Sequence, residues 1–197
     1  TWGMGEVGYD DGYGAERFYI KYENLPPLSS ADVVVGATMQ LCMDGHGENT
    51  PMQVHKVNGT WTSQTITWAN QPGFHENVED YAILDEPGYY AFVVTDIVRD
   101  WYAGENTGMV FRYSDAIEAG PTDNWIQFYS SDYGLNKPIL SVVFRNAAGL
   151  ESYWDYTEAS AGRAGTGYVN NFTGNLVWTK THLGIGGNRM PVSISHV

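Results

Sequence analysis

The sequence predicts an all-β protein: a two-sheet antiparallel sandwich with one short helical turn and a β-rich C-terminal extension. Three observations predict it. Short runs alternate apolar and polar residues with a period of two, and turn residues interrupt them roughly every 10 to 15 positions, close to the rhythm of a sandwich. Only one stretch has helical spacing with recognisable ends. A chain of 197 residues that is 43% hydrophobic and 14% aromatic can fill such a core.

Taken in order, Thr1 opens directly into the strand-like Trp2-Gly3-Met4-Gly5-Glu6-Val7-Gly8-Tyr9, so the chain reads as a mature or excised piece. Arg17-Phe18-Tyr19-Ile20-Lys21-Tyr22 alternates and stops at Leu25-Pro26-Pro27. A second strand region runs from Val33 to Met43, with Gly36 marking a bulge or bend. Met52 to Val57 alternates into the turn signal Asn58-Gly59. Further strands are expected over 89–94, 108–113, 125–130 and 139–144. The helical turn lies at 95–104, where Asp96 is placed to cap the start, Ile97, Val98 and Trp101 share a face, and Gly104 closes the end. Ile20, Leu41, Ile66, Phe92, Val110, Phe128 and Leu140 are the expected core.

The sandwich domain is expected over 1–145 and the extension over 146–197. Strands are expected in the extension at 165–171, 175–179 and 191–195. Tyr153, Trp154, Tyr156, Tyr168, Phe172, Leu176 and Trp178 stand there among many Gly and Asn residues. They are too sparse for an autonomous core, so the extension is expected to pack on its own sandwich, on another chain or on a continuation.

Three segments carry a family resemblance: Arg17-Phe18-Tyr19-Ile20-Lys21-Tyr22-Glu23-Asn24-Leu25-Pro26; Thr60-Trp61-Thr62-Ser63-Gln64-Thr65-Ile66-Thr67-Trp68-Ala69-Asn70-Gln71-Pro72; and Val94-Thr95-Asp96-Ile97-Val98-Arg99-Asp100-Trp101, followed by Asn106-Thr107-Gly108-Met109. In this order and spacing, 16–145 resembles the bacterial DNRLRE domain, a carbohydrate-binding module of family 96 type. The resemblance implies a jelly-roll-like sandwich, attached to secreted enzymes, adhesins or wall proteins and therefore extracellular or at the cell surface. It also implies that Trp61, Trp68, Trp101 and Trp125 are core residues. Ser63-Gln64 replaces an acidic residue of the family pattern, and the usual opening strand is expected upstream of Thr1, leaving an edge vacant. The extension, through Gly149-Leu150-Glu151-Ser152-Tyr153-Trp154, 162–170 and 186–197, resembles the lead-in to Rhs or YD-repeat shells.

Charge and motif content narrow the function. Ten Lys and Arg against 23 Asp and Glu give a formal net charge of −13, which repels phosphate backbones and disfavours nucleic acid as a partner. No window is long and apolar enough for a membrane span. The single thiol, Cys42, lies in an apolar run and reads as buried and structural. Asp10-Asp11, Glu79-Asp80 and Asp85-Glu86 pair carboxylates along the chain rather than across a cleft, the arrangement a glycosidase needs, and read as solvated charge. There is no G-x-S-x-G or phosphate loop, and His46, His55 and His75 lack zinc spacing. No catalytic residue is assigned.

Tyr9, Tyr13, Tyr81, Tyr89, Tyr90 and Tyr133 flank Gly-rich or acidic loops and are the candidate ligand-binding surface. No cofactor is required. The loop from Asp44 to Asn49 offers hard oxygen donors for calcium, with Asp44, Glu48 and Asn49 as candidate ligands. The expected partner is a glycan or cell-wall polymer, and the function a non-catalytic binding or adhesion module of a larger protein. The alternative is a structural subunit whose neighbouring copies join by strand addition.

Overall fold

The computed structural model describes residues 3–29, 32–45, 50–120, 122–146, 149–151, 153–185 and 192–196. The chain runs β1 (Met4–Asp10), β2 (Gly14–Glu16), β3 (Phe18–Ile20), β4 (Asp32–Gly45), β5 (Thr50–Lys56), β6 (Asp80–Leu84), β7 (Gly88–Val93), α1 (Thr95–Ala103), β8 (Met109–Arg112), α2 (Asp115–Glu118), β9 (Asn124–Tyr129) and β10 (Ile139–Asn146). Then follow β11 (Tyr156–Ser160), β12 (Thr166–Asn170), β13 (Leu176–Ile185) and β14 (Val192–His196). The protein is all-β and sandwich-like, as expected. It divides into two compact units, one of 1–26 and 34–143, the other of 27–33 and 144–197.

In the first unit one sheet has the order β10-β4-β9-β1-β2, with β7 also paired to β4, and the other has the order β3-β8-β5-β6. All described registers are antiparallel. Val7, Met39, Leu41, Phe92, Ile126 and Phe128 from the first sheet and Met52, Val54, Leu84, Met109 and Phe111 from the second are fully buried or nearly so. Phe92 meets Phe111 edge-on across the sheets, with centroids 5.1 Å apart. Each such side chain contributes about 1.5–3 kcal/mol by leaving water.

Strand β8 is buried at all four positions, because both its faces are covered. The 57–79 loop covers the outer face: Phe74 lies 4.8 Å from the Arg112 guanidinium, and Trp61 packs edge-on against Tyr19 at 5.6 Å. The Trp61 indole donates to Thr107 O at 2.8 Å. Gly108 beside it has φ +84, and a Cβ there would sit 2.8 Å from Ile20 O, so only glycine fits.

Several expectations need correction. Ile20, Ile66 and Leu140 are half-buried, since they lie on the short edge strand β3, in the covering loop and on the edge strand β10. Of the tryptophans, Trp101 is buried at 4% exposure, Trp61 and Trp125 are half-buried, and Trp68 is 55% exposed. Helix α1 lies within the stretch anticipated for it, but Asp96 does not cap it. Its N-cap residue Val94 offers no side-chain bond, and the Asp96 N–H donates instead to Glu79 Oε1 at 3.0 Å. Strand β4 has a register shift between Met43 and Gly45 where it pairs with β9. Strand β1 is paired on both sides, with β2 and β9, so no vacancy lies beside it.

The second unit contains the sheet β11-β12-β13-β14. None of its apolar side chains up to residue 180 is buried among the described residues, which fits the composition argument against an autonomous core. Trp178 lies over the Cα atoms of Gly165 and Gly167, where a Cβ would come within 2.6 and 3.1 Å of the indole. Trp154 stacks on Phe172 at 5.4 Å.

Candidate functional site

A two-lobed concavity in the first unit forms where the chain leaves the edge strand β2 and enters β3, the edge strand of the other sheet. Arg17 sits at that crossing. One lobe, of about 300 Å³, is lined by Arg17, Tyr19, Trp61, Ser63, Ile66, Thr67, Trp68 and Gln71. A second, of about 770 Å³, is lined by Met4, Glu6, Tyr13, Ala15, Glu16, Arg17, Trp68 and Gln127. Arg17 and Trp68 belong to both, so the lobes form one groove with Trp68 on its rim. Both volumes fall in the usual range for small-ligand sites, about 300–1,000 Å³.

Arg17 is held from below. Its Nη2 lies 2.6 Å from Glu118 Oε2 and its Nε 3.1 Å from Oε1. Glu118 is almost buried and is shared with Arg112, whose Nη2 lies 2.6 Å away; Arg112 also pairs with Asp115. Two cations and two anions thus balance, and Arg17 brings little net charge to the groove. Its guanidinium stacks 4.9 Å from the Trp68 ring and 5.1 Å from Phe74. Trp68 is therefore fixed by Arg17 rather than by the core, which leaves one indole face open. Gln71 Oε1 accepts from the Tyr19 hydroxyl at 2.9 Å and from Arg17 at 3.2 Å.

The second lobe is acidic. Glu6 on β1 and Glu16 on β2 are in hydrogen-bonding contact, and Asp10 is nearby. Burial first, and then the Glu6 and Asp10 charges, raise the Glu16 carboxyl to about 7. Glu16 Oε2 is buried without a donor, whereas Glu6 Oε1 accepts from Gln127 Nε2 at 2.7 Å. Two carboxyls in contact leave no room for a glycosidic bond between them, unlike the separated pair of a glycosidase.

Of the tyrosines singled out from the sequence, Tyr13 lines this groove, 85% exposed on the β1–β2 turn. That turn is closed by Asp10 Oδ1, which accepts from the Gly12 and Tyr13 amides at 2.7 and 2.9 Å. Tyr89 and Tyr133 belong elsewhere: the Tyr89 hydroxyl donates to Asn136 Oδ1 at 3.2 Å, and the Tyr133 ring lies 4.6 Å from Tyr129. Tyr90 closes the β6–β7 turn, accepting from the Asp85 and Glu86 amides and donating to Glu86 O at 2.8 Å. Tyr9 is half-buried on β1 with its ring against Gly120, and Tyr81 is exposed on β6. The groove's own residues, Glu6, Glu16, Arg17, Trp68, Gln71 and Gln127, were not singled out as ligand residues. They come from four separate segments, and only Arg17, Trp68 and Gln71 carried a signal, as members of the family-like runs.

The acidic pairs also prove more than solvated charge. Glu79 bonds the start of α1, Asp80 Oδ2 accepts from the Val93 amide at 2.7 Å, and Asp85 bonds Tyr90. His55 is buried with its Nδ1 2.9 Å from His75 O, and burial above all lowers its pKa. At the candidate calcium loop, Asp44 accepts a hydrogen bond from the Tyr129 hydroxyl, while Glu48, Asn49 and His46 lie outside the described residues. Asp44 above all pushes the Tyr129 hydroxyl up to about 12. Among the described residues no cluster of three or more His, Cys, Asp or Glu side chains converges to hold a metal. Among the described residues no helix is long and apolar enough to cross a membrane.

A search of curated proteins finds no match. The family comparison does. Residues 6–144, from β1 through nearly all of β10 and with every residue of the groove except Met4, match the model of carbohydrate-binding module family 96, and on that evidence the chain belongs to that family.

Proposed function

We propose that the protein binds a glycan in the Trp68 groove and does so without catalysis. The observation that carries the reading is the half-exposed indole of Trp68, held at the rim of a polar groove by the stacked Arg17. A sugar ring has an apolar face and an equatorial belt of hydroxyls. The indole suits the face, and Gln71, Gln127 and the carboxyls suit the hydroxyls. Tyr13, exposed and lining the same lobe, adds to the aromatic surface. The family is the second support, and with it we read the chain as a module of a larger secreted or surface protein, directed at a glycan or wall polymer. Titration calorimetry against soluble polysaccharides tests this: Trp68→Ala should abolish binding at an unchanged melting temperature. Retained affinity in that variant would overturn the assignment of the groove.

Self-assembly through the second unit is a further reading, favoured by its exposed Tyr153, Phe172, Leu176 and Trp178 side chains. Calcium at Asp44, Glu48 and Asn49 is a separate proposal, tested by whether a chelator lowers the melting temperature.

A further inference from the structure

We propose that the second unit carries a sugar site of its own. The cavity beside Trp154 takes a single neutral pyranose residue, a chain end or a side branch, which stacks on the indole and sets its hydroxyls between Asn170 and Glu151. The site lies outside the residues that match the family and is separate from the Trp68 groove.

The cavity has a volume of about 210 Å³, and its lining includes Glu151, Trp154, Tyr156, Asn170, Thr173 and Asn175. It is smaller than the usual sites for drug-sized ligands, about 300–1,000 Å³, so it suits one ring rather than a chain. Asn170, at the end of β12, carries the argument. It is 6% exposed, and its Oδ1 accepts from the Phe172 and Thr173 amides at 2.9 Å each. Backbone N–H groups can only donate, which identifies that atom as the oxygen. The side-chain nitrogen, Nδ2, has no acceptor among the described residues, yet it is not among the polar atoms closed to solvent. Two N–H donors are thus unused in a mostly buried residue of the lining, at a cost in free energy until an acceptor arrives.

Glu151 supplies the opposite chemistry. Its Oε2 accepts from the Asn146 amide at 3.3 Å, and Oε1 has no donor among the described residues. A sugar hydroxyl both accepts and donates, so neighbouring hydroxyls of one ring can satisfy the amide and the carboxylate together. An apolar ligand would leave both unpaired. An anionic one would meet Glu151 with no Lys or Arg in the lining to offset it. Phe172 stacks on the Trp154 indole at 5.4 Å, with the planes 25° apart, which backs one face and leaves the other for the apolar face of a sugar. The walls are set in advance. Asn171 donates from its amide to Asp155 O at 2.9 Å and from Nδ2 to Asp155 Oδ2 at 2.8 Å, and the Tyr156 hydroxyl accepts from the Glu151 amide at 3.1 Å. Little ordering is left to oppose binding. A long linear polysaccharide presents few chain ends, so its binding remains a measure of the Trp68 groove.

The test is an NMR titration of the intact chain with methyl β-glucoside, methyl β-galactoside and methyl β-glucuronide. At least one neutral glycoside should bind with about millimolar affinity, which is what a single ring supports. It should shift the Asn170 side-chain amide and the Trp154 indole N–H while the Trp68 indole N–H stays in place. The glucuronide should bind at least about tenfold more weakly. Asn170→Asp keeps the oxygen that closes the turn and removes both donors, and it should weaken binding about tenfold at a melting temperature close to the parent's. Glu151→Gln should weaken binding by a similar factor, and it decides the matter if Asn170→Asp does not fold. Trp68→Ala should change neither the affinity nor the shifts. The absence of any shift at Asn170 with both neutral glycosides, undiminished binding in the folded variants, or tighter binding of the glucuronide overturns the proposal. If Trp68→Ala abolishes glycoside binding, the sugar occupies the groove, so this site fails and the groove reading stands. If Trp68→Ala retains polysaccharide binding while the Asn170 shift persists, the groove fails and this site stands.

Discussion

Two tryptophans that look alike in the sequence have opposite duties. Trp101 lies on the buried face of α1 and is 4% exposed, so Trp101→Ala should cost about 3–5 kcal/mol, as large aromatic deletions from cores do. Trp68 loses mainly a cation–π contact with Arg17, so Trp68→Ala should change stability by less than about 1 kcal/mol. Chemical denaturation of both variants checks the contrast. Glu118 is the anion on which two guanidinium groups depend, at side-chain exposures of 17% and 6%. Glu118→Ala leaves Arg17 without its carboxylate and Arg112 with the exposed Asp115 alone, and a loss of about 3–5 kcal/mol is expected, accompanied by weaker glycan binding because Arg17 no longer holds Trp68. Glu16 gives a pH signature. Its folded-state pKa, about 7 against an ordinary 4.5, means that its contribution is fully present below pH 4.5 and declines as the pH rises through 7. Melting curves across that window should fall less steeply for Glu16→Gln than for the parent.

At the scale of elements, the short helix shows how one segment depends on another. Its first turn lacks a side-chain cap of its own, and the carboxylate of Glu79, 17 positions upstream, accepts from the Asp96 amide. Glu79→Ala should destabilise by about 1 kcal/mol, the usual worth of an N-cap. Asp96→Ala should cost less, since its side chain makes only an exposed pair with Arg99. The strands themselves were legible wherever alternation was regular: β4, β5, β7, β8, β9 and β10 lie close to the stretches expected for them. Strands β2 and β6 were not, because three residues make no period and Asp80–Leu84 follows a long irregular loop. Strand β11 was hidden by its polar outer positions, Thr157, Glu158 and Ser160.

For the molecule as a whole, the core residues among those described all belong to the first unit. Removal of 149–197 should therefore leave a cooperatively unfolding chain whose Trp68 groove binds glycan with affinity within about twofold of the parent. Light scattering of the parent and the truncated chain checks the second reading at the same time. If the exposed aromatics of the tail sheet join copies, the parent is larger than a monomer and the truncated chain is not. A strictly monomeric parent would leave those aromatics without a role in assembly.

The sequence by itself determined the class of fold, the rhythm of its strands, the closing glycine of the helix and the family-like runs, because each rests on neighbours along the chain. It also showed that the extension lacks the side chains for a core. What it could not supply was the side on which a residue lies when the chain is irregular. Trp68 stands in a loop with no period to read, so its exposure depends on Arg17, 51 positions away, and on Glu118 beneath it. Nor could spacing reveal that Glu6 and Glu16 meet across two paired strands, or that Gln127 joins them from β9. Local pattern decides which segments extend and which face is apolar; the site is made by long-range strand pairing, and that only the tertiary structure decides.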